Sequence, residues 1–247
     1  MIYLTSHQTQ AAYDAVKDSL PKPQVALVKE NMTVNYKPYV PTPSHEYVEI
    51  GGVKWATMNV GATAITDTGL YFQWGDTQGY TASQIGSGSG KKLFDDSNND
   101  YKYGNYEYNV EPDYGMTKYN SNDGKTVLDA EDDAVTAAWG GNWRMPTKNE
   151  LTALFEAVNT AWTQVNGVSG LMCTSKTDGT KTLFFPACGA AWFGSLHETS
   201  NSYFWTNTRL SNYPYLAYRA IMDQDGVTVN GDDHRGYGYQ VRGVLGE

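Results

Sequence analysis

Apolar positions recur at two spacings along this chain, and the clearest helical one follows Thr147. Leu151, Leu154, Phe155 and Val158 stand at i, i+3, i+4 and i+7, which predicts a helix with one buried face. Thr147 and Glu150 have the spacing of a capping box, in which each side chain satisfies a backbone N–H that the first turn leaves unpaired. A second apolar face, Ala134, Val135, Ala138 and Trp139, follows the acidic run Asp129-Ala-Glu-Asp-Asp133 and predicts another helix. Elsewhere the pattern is that of short strands. Tyr47–Ile50 and Val53–Thr57 flank Gly51-Gly52, a pair suited to a two-residue hairpin turn. Leu70–Trp74, Leu171–Lys176, Thr182–Phe185, Tyr203–Thr206, Tyr218–Met222, Val227–Val229 and Tyr239–Val244 are further strand candidates, with turns at Thr177–Thr180 and Asp225-Gly226. Two helices amid short strands and long loops make an α+β pattern.

Residues 76–122 carry no such period. They are rich in Gly, Ser, Asn, Asp and Tyr, and loops of this length in a compact domain usually have a function or stay disordered. Tyr101, Tyr103, Tyr106 and Tyr108 alternate there, either lining a surface or pinning the loop to the domain. Residues 1–45 differ again. Ser6 is placed to cap a helix ending at Lys17, with Ala12, Tyr13 and Val16 on its apolar face. Pro21 and Pro23 end it, Gln24–Lys29 and Thr33–Lys37 are β-prone, and Pro38, Pro41 and Pro43 predict a stiff linker. So short a segment buries little alone, so it is expected to dock or oligomerise. The chain thus divides into an attachment segment, 1–45, and a domain, 46–247.

Composition narrows the function. Charged residues are only 18%, with 25 Gly, 19 Tyr and 7 Trp, which suits a loop-rich β-containing module. A net charge of −9 argues against a nucleic-acid binder, which needs a basic footprint. No apolar run approaches about 18 residues, so membrane insertion is not expected. The N-terminus lacks the basic, apolar and small-residue regions of a secretory signal. Either a signal has been trimmed, or the protein reaches the outside by another route, such as a virion released by lysis. Cys173 and Cys188 permit one internal disulfide, although free buried thiols are the preferred reading.

Chemistry is sparse. His7, His45, His197 and His234 share no ligand spacing, and no G-x-S-x-G, P-loop or H-E-x-x-H occurs. A hydrolase would need a carboxylate pair that the sequence does not single out. The acids at 129–133 invite a calcium reading. A helix-capping role is preferred, because the alternating oxygen ligands and glycine of an EF-hand loop are missing. No enzyme activity and no cofactor are therefore expected. The C-terminal stretch about 203–240 is richer in binding chemistry. Asn207, Arg209, Asn212, Tyr213 and Tyr215 alternate there with small or apolar anchors, as do Tyr218, Arg219, Asp223, Asn230 and Asp232. Asp233, His234, Arg235, Tyr237 and Tyr239 complete the set of candidate ligand-binding residues. Tyr offers large contact area at small entropic cost, and short polar side chains adapt their hydrogen bonds.

The segment Trp139-Gly-Gly-Asn-Trp-Arg-Met-Pro-Thr-Lys-Asn-Glu150 crowds aromatics, glycines and an Arg at the entrance to the main helix. It is read as a packed structural corner, since no nucleophile or base accompanies it. It also resembles the core signature of the Fibrobacter succinogenes major paralogous (FISUMP) domain. EYVEIGGVKWATMNVGA (46–62), YFQWGDT (71–77), GMTKYNSNDGKTVLDAEDDA (115–134), GVSGLMCTSK (167–176), LFFPACG (183–189), YFWTNT (203–208) and YGYQVRGV (237–244) agree in order. This resemblance spans roughly residues 46–247 and implies a C-type lectin-like fold. Formylglycine-generating enzymes share that fold, but their late copper-binding cysteine pair has no counterpart here, because Cys173 and Cys188 come too early. Glu111-Pro112-Asp113 resembles the Glu-Pro-Asn tripeptide of calcium-dependent lectins, yet it precedes both helices, the wrong place for that family.

Retroelement-diversified phage receptor-binding proteins also use this fold, and their variable region matches the position and residue palette of 203–240. The resemblance therefore implies a non-enzymatic receptor-binding protein of a virion or phage tail. Its expected partners are a host cell-surface protein or glycan, the tail assembly through residues 1–45, and copies of itself in a homotrimer. The alternative is a bacterial cell-surface adhesin or structural protein using the same domain without diversification. A fold alone does not choose between them.

Overall fold

The computed structural model describes residues 45–85, 94, 101–104 and 111–246. The attachment segment up to residue 44, and Tyr106 and Tyr108 of the Tyr-rich loop, lie outside the described residues. The architecture is antiparallel β with two short helices, an α+β arrangement. In chain order the strands are β1 (Tyr47–Ile50), β2 (Val53–Asn59), β3 (Trp143–Arg144), β4 (Val158–Val165), β5 (Val168–Ser175) and β6 (Thr182–Pro186). Then follow β7 (Ala190–Trp192), β8 (Ser195–His197), β9 (Ser202–Arg209), β10 (Leu216–Asp223), β11 (Gly226–His234) and β12 (Arg242–Leu245). Helices α1 (Ala134–Trp139) and α2 (Lys148–Ala157) lie between β2 and β4 in sequence. The sheets have the orders β1-β2-β12-β3, β11-β10-β9, β4-β5-β6 and β7-β8.

The capping box forms as its spacing predicts: the Thr147 hydroxyl accepts from Glu150 N–H at 3.1 Å, and Glu150 accepts from Thr147 N–H at 2.8 Å. Leu151 and Leu154 are buried to 1% exposure, whereas Phe155 is only half-buried. The helix ends at Ala157, so Val158 is a core residue of β4 and not of α2. Gly51 and Gly52 take φ of 63° and 80°, the positive values that the hairpin turn requires.

The strand assignments need correction at several points, and β3, β7 and β8 are strands that the pattern does not predict. Leu70–Trp74 is not a strand, because its backbone N–H groups find a different partner at each step: Val60, Tyr80, Tyr239 and then Arg235. The eight-residue β4 has no counterpart among the predicted strands. It pairs with β5 around Asn166-Gly167, whose φ values of 50° and 82° make a tight hairpin turn. An Asn-Gly dipeptide between strand-prone runs is the signal for it.

The β9-β10-β11 sheet separates two apolar clusters. Tyr203, Trp205 and Ala217 pack with Trp74, Tyr119 and Tyr239 on one side. Phe204, Ala220 and Met222 pack with Trp55, Leu154 and Phe185 on the other. Register between β10 and β11 shifts by one residue between Arg219↔Gly231 and Ile221↔Thr228. Such a bulge reverses side-chain parity. Val227 and Val229 therefore face the second cluster, while Asp233 turns to meet Arg219 on the opposite side.

Candidate binding face

The acidic run settles first into a structural role. Asp133 caps α1 by accepting from Val135 and Thr136 N–H, and it also accepts from Met145 N–H. Burial pushes its pKa up despite those three donors. Oxygens of Asp129, Glu131 and Asp132 lie within 4.8 Å of one another, a spacing that suits a cation. Lys118 Nζ sits against all three, at 3.1, 3.1 and 2.5 Å, and supplies the counter-charge.

Burial opposes ionisation of Asp132, but Lys102, Lys118, Tyr103 and Tyr119 all bond to its carboxylate and hold its pKa well below the usual range. With the native pKa depressed, this stabilisation is complete above the unfolded-state value of about 3.9 and is lost as pH falls through the native one. The melting-temperature gap between the wild type and Asp132→Asn is expected to be widest at neutral pH and to narrow below about pH 4. A gap that stayed constant in acid would remove Asp132 from the pH response.

The signature segment is a packed corner. His45 stacks on Trp139 at 4.1 Å, and Trp139 meets Trp143 edge-on at 5.3 Å. Arg144 makes a two-pronged pair with Glu150, at 2.8 and 2.6 Å. A cleft of about 390 Å³ opens beside it, but the Asp133 and Arg144 side chains that line it are already engaged by these internal bonds. Cys173 and Cys188 are free and buried. Burial pushes the Cys173 thiol up to about 12, so it stays protonated and unreactive near neutral pH.

The fifteen C-terminal candidates divide by burial. Asn207, Arg209, Arg235 and Tyr239 are 4% exposed or less, and they are structural residues in this fold. Arg209 donates to the carbonyls of Lys125 and Asn120. Arg235 lies over the rings of Trp74, Tyr101 and Tyr119, with Cζ 4.7, 5.2 and 5.7 Å from their centroids. Its guanidinium donates to Tyr101 Oη and to the carbonyls of Pro214, Lys118 and Tyr119. The Tyr239 hydroxyl donates to Asp233 at 2.8 Å, and its ring packs on Trp205 at 4.3 Å. Of the rest, Tyr218 lies beneath Lys148 Nζ at 4.2 Å and faces Asp232 across β10 and β11. Arg219 pairs with Asp233, and Asp223 caps the β10–β11 turn through Asp225 and Gly226 N–H. Asn230 is exposed on β11.

What remains is a run of rings in which Tyr213 is exposed, while Tyr215, His234 and Tyr237 are half-buried, Tyr215 and Tyr237 packing on the first apolar cluster. Tyr213 is 47% exposed and contacts Tyr215 at 6.1 Å, in the connection beside exposed Asn212. Tyr215 meets His234 at 5.4 Å, and His234 stacks on Tyr237 at 5.4 Å and 18°. The ladder continues beyond the predicted region. Tyr114 lies 4.6 Å from Tyr215, and Tyr237 contacts Trp192 and Phe193 at 5.8 and 6.2 Å.

Phe193 is the most exposed large apolar residue described, at 58%. It occupies the tip of the β7–β8 hairpin with φ of 48°, a left-handed conformation that a bulky side chain rarely adopts. Trp192 and Phe193 stand outside the set of residues that the sequence pattern singles out. The signal for them is Phe193-Gly194 between Ala-Ala-Trp and Ser-Leu-His, a two-residue turn between short strands. The hairpin lies close to the rest of the face because Ala191 and Gly238 exchange backbone hydrogen bonds at 2.8 Å.

Comparison with known proteins finds no matching family model, no matching curated protein and no matching solved structure. No described helix is long and apolar enough to cross a membrane.

Proposed function

We propose that this protein is a binding module whose aromatic ladder, from Tyr213 to Phe193, docks on a target at a cell surface. The supporting observation is Phe193. A large apolar ring held outward on a strained turn costs stability in the isolated protein, and such strain points to use by a partner. Tyr213, Tyr215, His234 and Tyr237 extend it into one surface of rings, the residue type that dominates interface hot spots. A set of internal bonds stiffens the scaffold behind it: Arg235 in its aromatic cage, and Tyr239 against Trp205 and Asp233. Rigid support of this kind lowers the entropic cost of binding.

In the fuller proposal the domain is a C-type lectin-like receptor-binding protein of a virion tail, attached through residues 1–45. The motif resemblance and the placement of the ladder within and beside 203–240 support that reading.

Phe193→Ala and Tyr213→Ala test the face. Labelled full-length protein is titrated onto intact bacterial cells, with melting temperatures recorded in parallel. Removing an interfacial ring commonly costs about 2 kcal/mol, or roughly thirtyfold in affinity, while an exposed position shifts stability by less than about 0.5 kcal/mol. Weaker cell binding at unchanged melting temperature is expected. Undiminished binding by both variants would remove the ladder from the binding face.

A further inference from the structure

The strand β4 is an edge: it pairs with β5 on one side and with no other strand among the described residues. Alternate residues of an edge strand send their N–H and C=O groups away from the sheet. Folded proteins protect such rows with short length, charge, proline, bulges or a covering segment. Among the described residues the other sheet edges of this domain are protected. The edge strand β11 carries a bulge, Asp232 and Asp233. Loops cover β9: Arg209 and Asn207 N–H donate to the Thr126 and Pro146 carbonyls, and the Asn207 carbonyl accepts from Leu128 N–H. The strand β6 ends in Pro186, and its Phe184 and Pro186 carbonyls accept from Arg242 and Ser202. Only four residues form β1, one of them Glu49, and β3, β7 and β8 have two or three.

None of these devices protects β4. Its eight residues contain no proline and no charged side chain. Its register with β5 runs unbroken from Val158↔Ser175 to Val165↔Val168. Asn159, Thr160, Ala161, Thr163 and Gln164 are exposed. We propose that this edge is a self-association surface, on which β4 pairs antiparallel with β4 of a second copy of this chain. A two-fold axis would then join the two β4-β5-β6 sheets into one.

Two observations favour a second copy as the occupant. The first is charge. The chain carries −9, so its copies repel one another, yet no Asp, Glu, Lys or Arg occurs from Ala157 to Ser175. Along the β4–β5 hairpin, two copies meet without setting like charges opposite each other, an arrangement that destabilises strand pairs. A basic partner, by contrast, finds no carboxylate on this strand to attract it.

The second is geometry. A two-fold interface uses one patch twice, so the patch must complement itself. A regular strand laid antiparallel on its own copy does so, because the outward N–H and C=O groups of each face those of the other. Little ordering is needed on pairing, since Val158 and Trp162 already pack in the second apolar cluster and hold the strand in place. One consequence concerns attachment. A dimer carries two aromatic ladders, and docking of one raises the effective concentration of the other at the same surface. The pairing itself does not depend on that use.

Sedimentation equilibrium of the full chain, over roughly a hundredfold range of concentration, is the test, since association follows mass action. The mass of the parent is expected to rise toward twice its value in dilute solution. The double variant Ala161→Glu, Thr163→Glu sets acid against acid across the axis and should stay at the dilute value, with its melting temperature there unchanged. The counterpart Ala161→Lys, Thr163→Lys should behave likewise alone, and an equimolar mixture of the two should double in mass. Hydrogen exchange of the parent gives a reading that needs no variant: β4 amides should slow as concentration rises, while those of β11 do not. The proposal is overturned by a parent mass that does not rise, by a rise that persists in both charged variants, or by β4 exchange that ignores concentration. None of the altered residues belongs to the aromatic ladder, so these readings are independent of the cell-surface proposal.

Discussion

Replacing Arg235 by methionine is expected to destabilise the domain by roughly 3–5 kcal/mol, although no carboxylate among the described residues pairs with it. The guanidinium is 1% exposed and donates to one hydroxyl and three carbonyls on three separated segments. Removing it strands those acceptors, each buried and unpaired acceptor costing about 1–3 kcal/mol. It also empties the cage of Trp74, Tyr101 and Tyr119, where a desolvated cation–π contact adds about 2 kcal/mol. Methionine recovers part of this by packing, hence an expected total below the plain sum. A domain of this size should melt roughly 10 °C lower, at about 2–4 °C per kcal/mol. Arg235→Lys should recover little, since an ammonium cannot reach acceptors on several sides as a planar fork does. A melting temperature within a degree or two of the parent's would show that the cage is dispensable.

The second large effect is expected at Leu154. Truncation to alanine should cost about 2–5 kcal/mol, because the side chain is buried among Trp55, Phe185, Phe204 and Met222 and leaves a cavity. Phe155→Ala should cost clearly less, even though phenylalanine is the larger residue. Its ring is half-exposed and touches Phe185 only at 6.2 Å between centroids. Paired chemical denaturation of the two variants checks the order. Equal losses would mean that α2 is rotated about its axis relative to this packing.

Local features are legible in the sequence. The Thr147–Glu150 capping box and the Gly51-Gly52 hairpin depend on residues within a few positions of each other, so their spacing carries the information. Of the acidic run at 129–133 only Asp133 reads correctly as a cap, since it meets N–H groups one turn away, whereas Asp129, Glu131 and Asp132 pair with Lys118 from another segment. The β4–β5 hairpin is equally local, and Asn166-Gly167 signals it. What hides it is that α2 passes into β4 without a break, so Val158 continues the helical spacing past the true end.

The candidate binding face shows where such reasoning stops. Tyr213, Tyr215, His234 and Tyr237 are identifiable as aromatics near turns, and they are exposed or half-buried, but Arg235 and Tyr239 come from the same stretch and are core. Arg235 is buried because carbonyls 117 residues earlier come to meet it, as Asn120 does for Arg209 from 89 residues away. No local pattern encodes such a meeting. Likewise, a single extra residue in β11 decides that Val229 faces the core while Asp233 meets Arg219. Phe193 joins the ladder only because Ala191 and Gly238 pair across the fold. The sequence by itself determined the Gly51-Gly52 turn, the Thr147 and Asp133 caps and most of the longer strands, since these follow from backbone preferences over a few residues. Only the tertiary structure decided which arginines and tyrosines lie inside and which rings share a surface, because burial is a property of the segments that close over a side chain and not of the side chain itself.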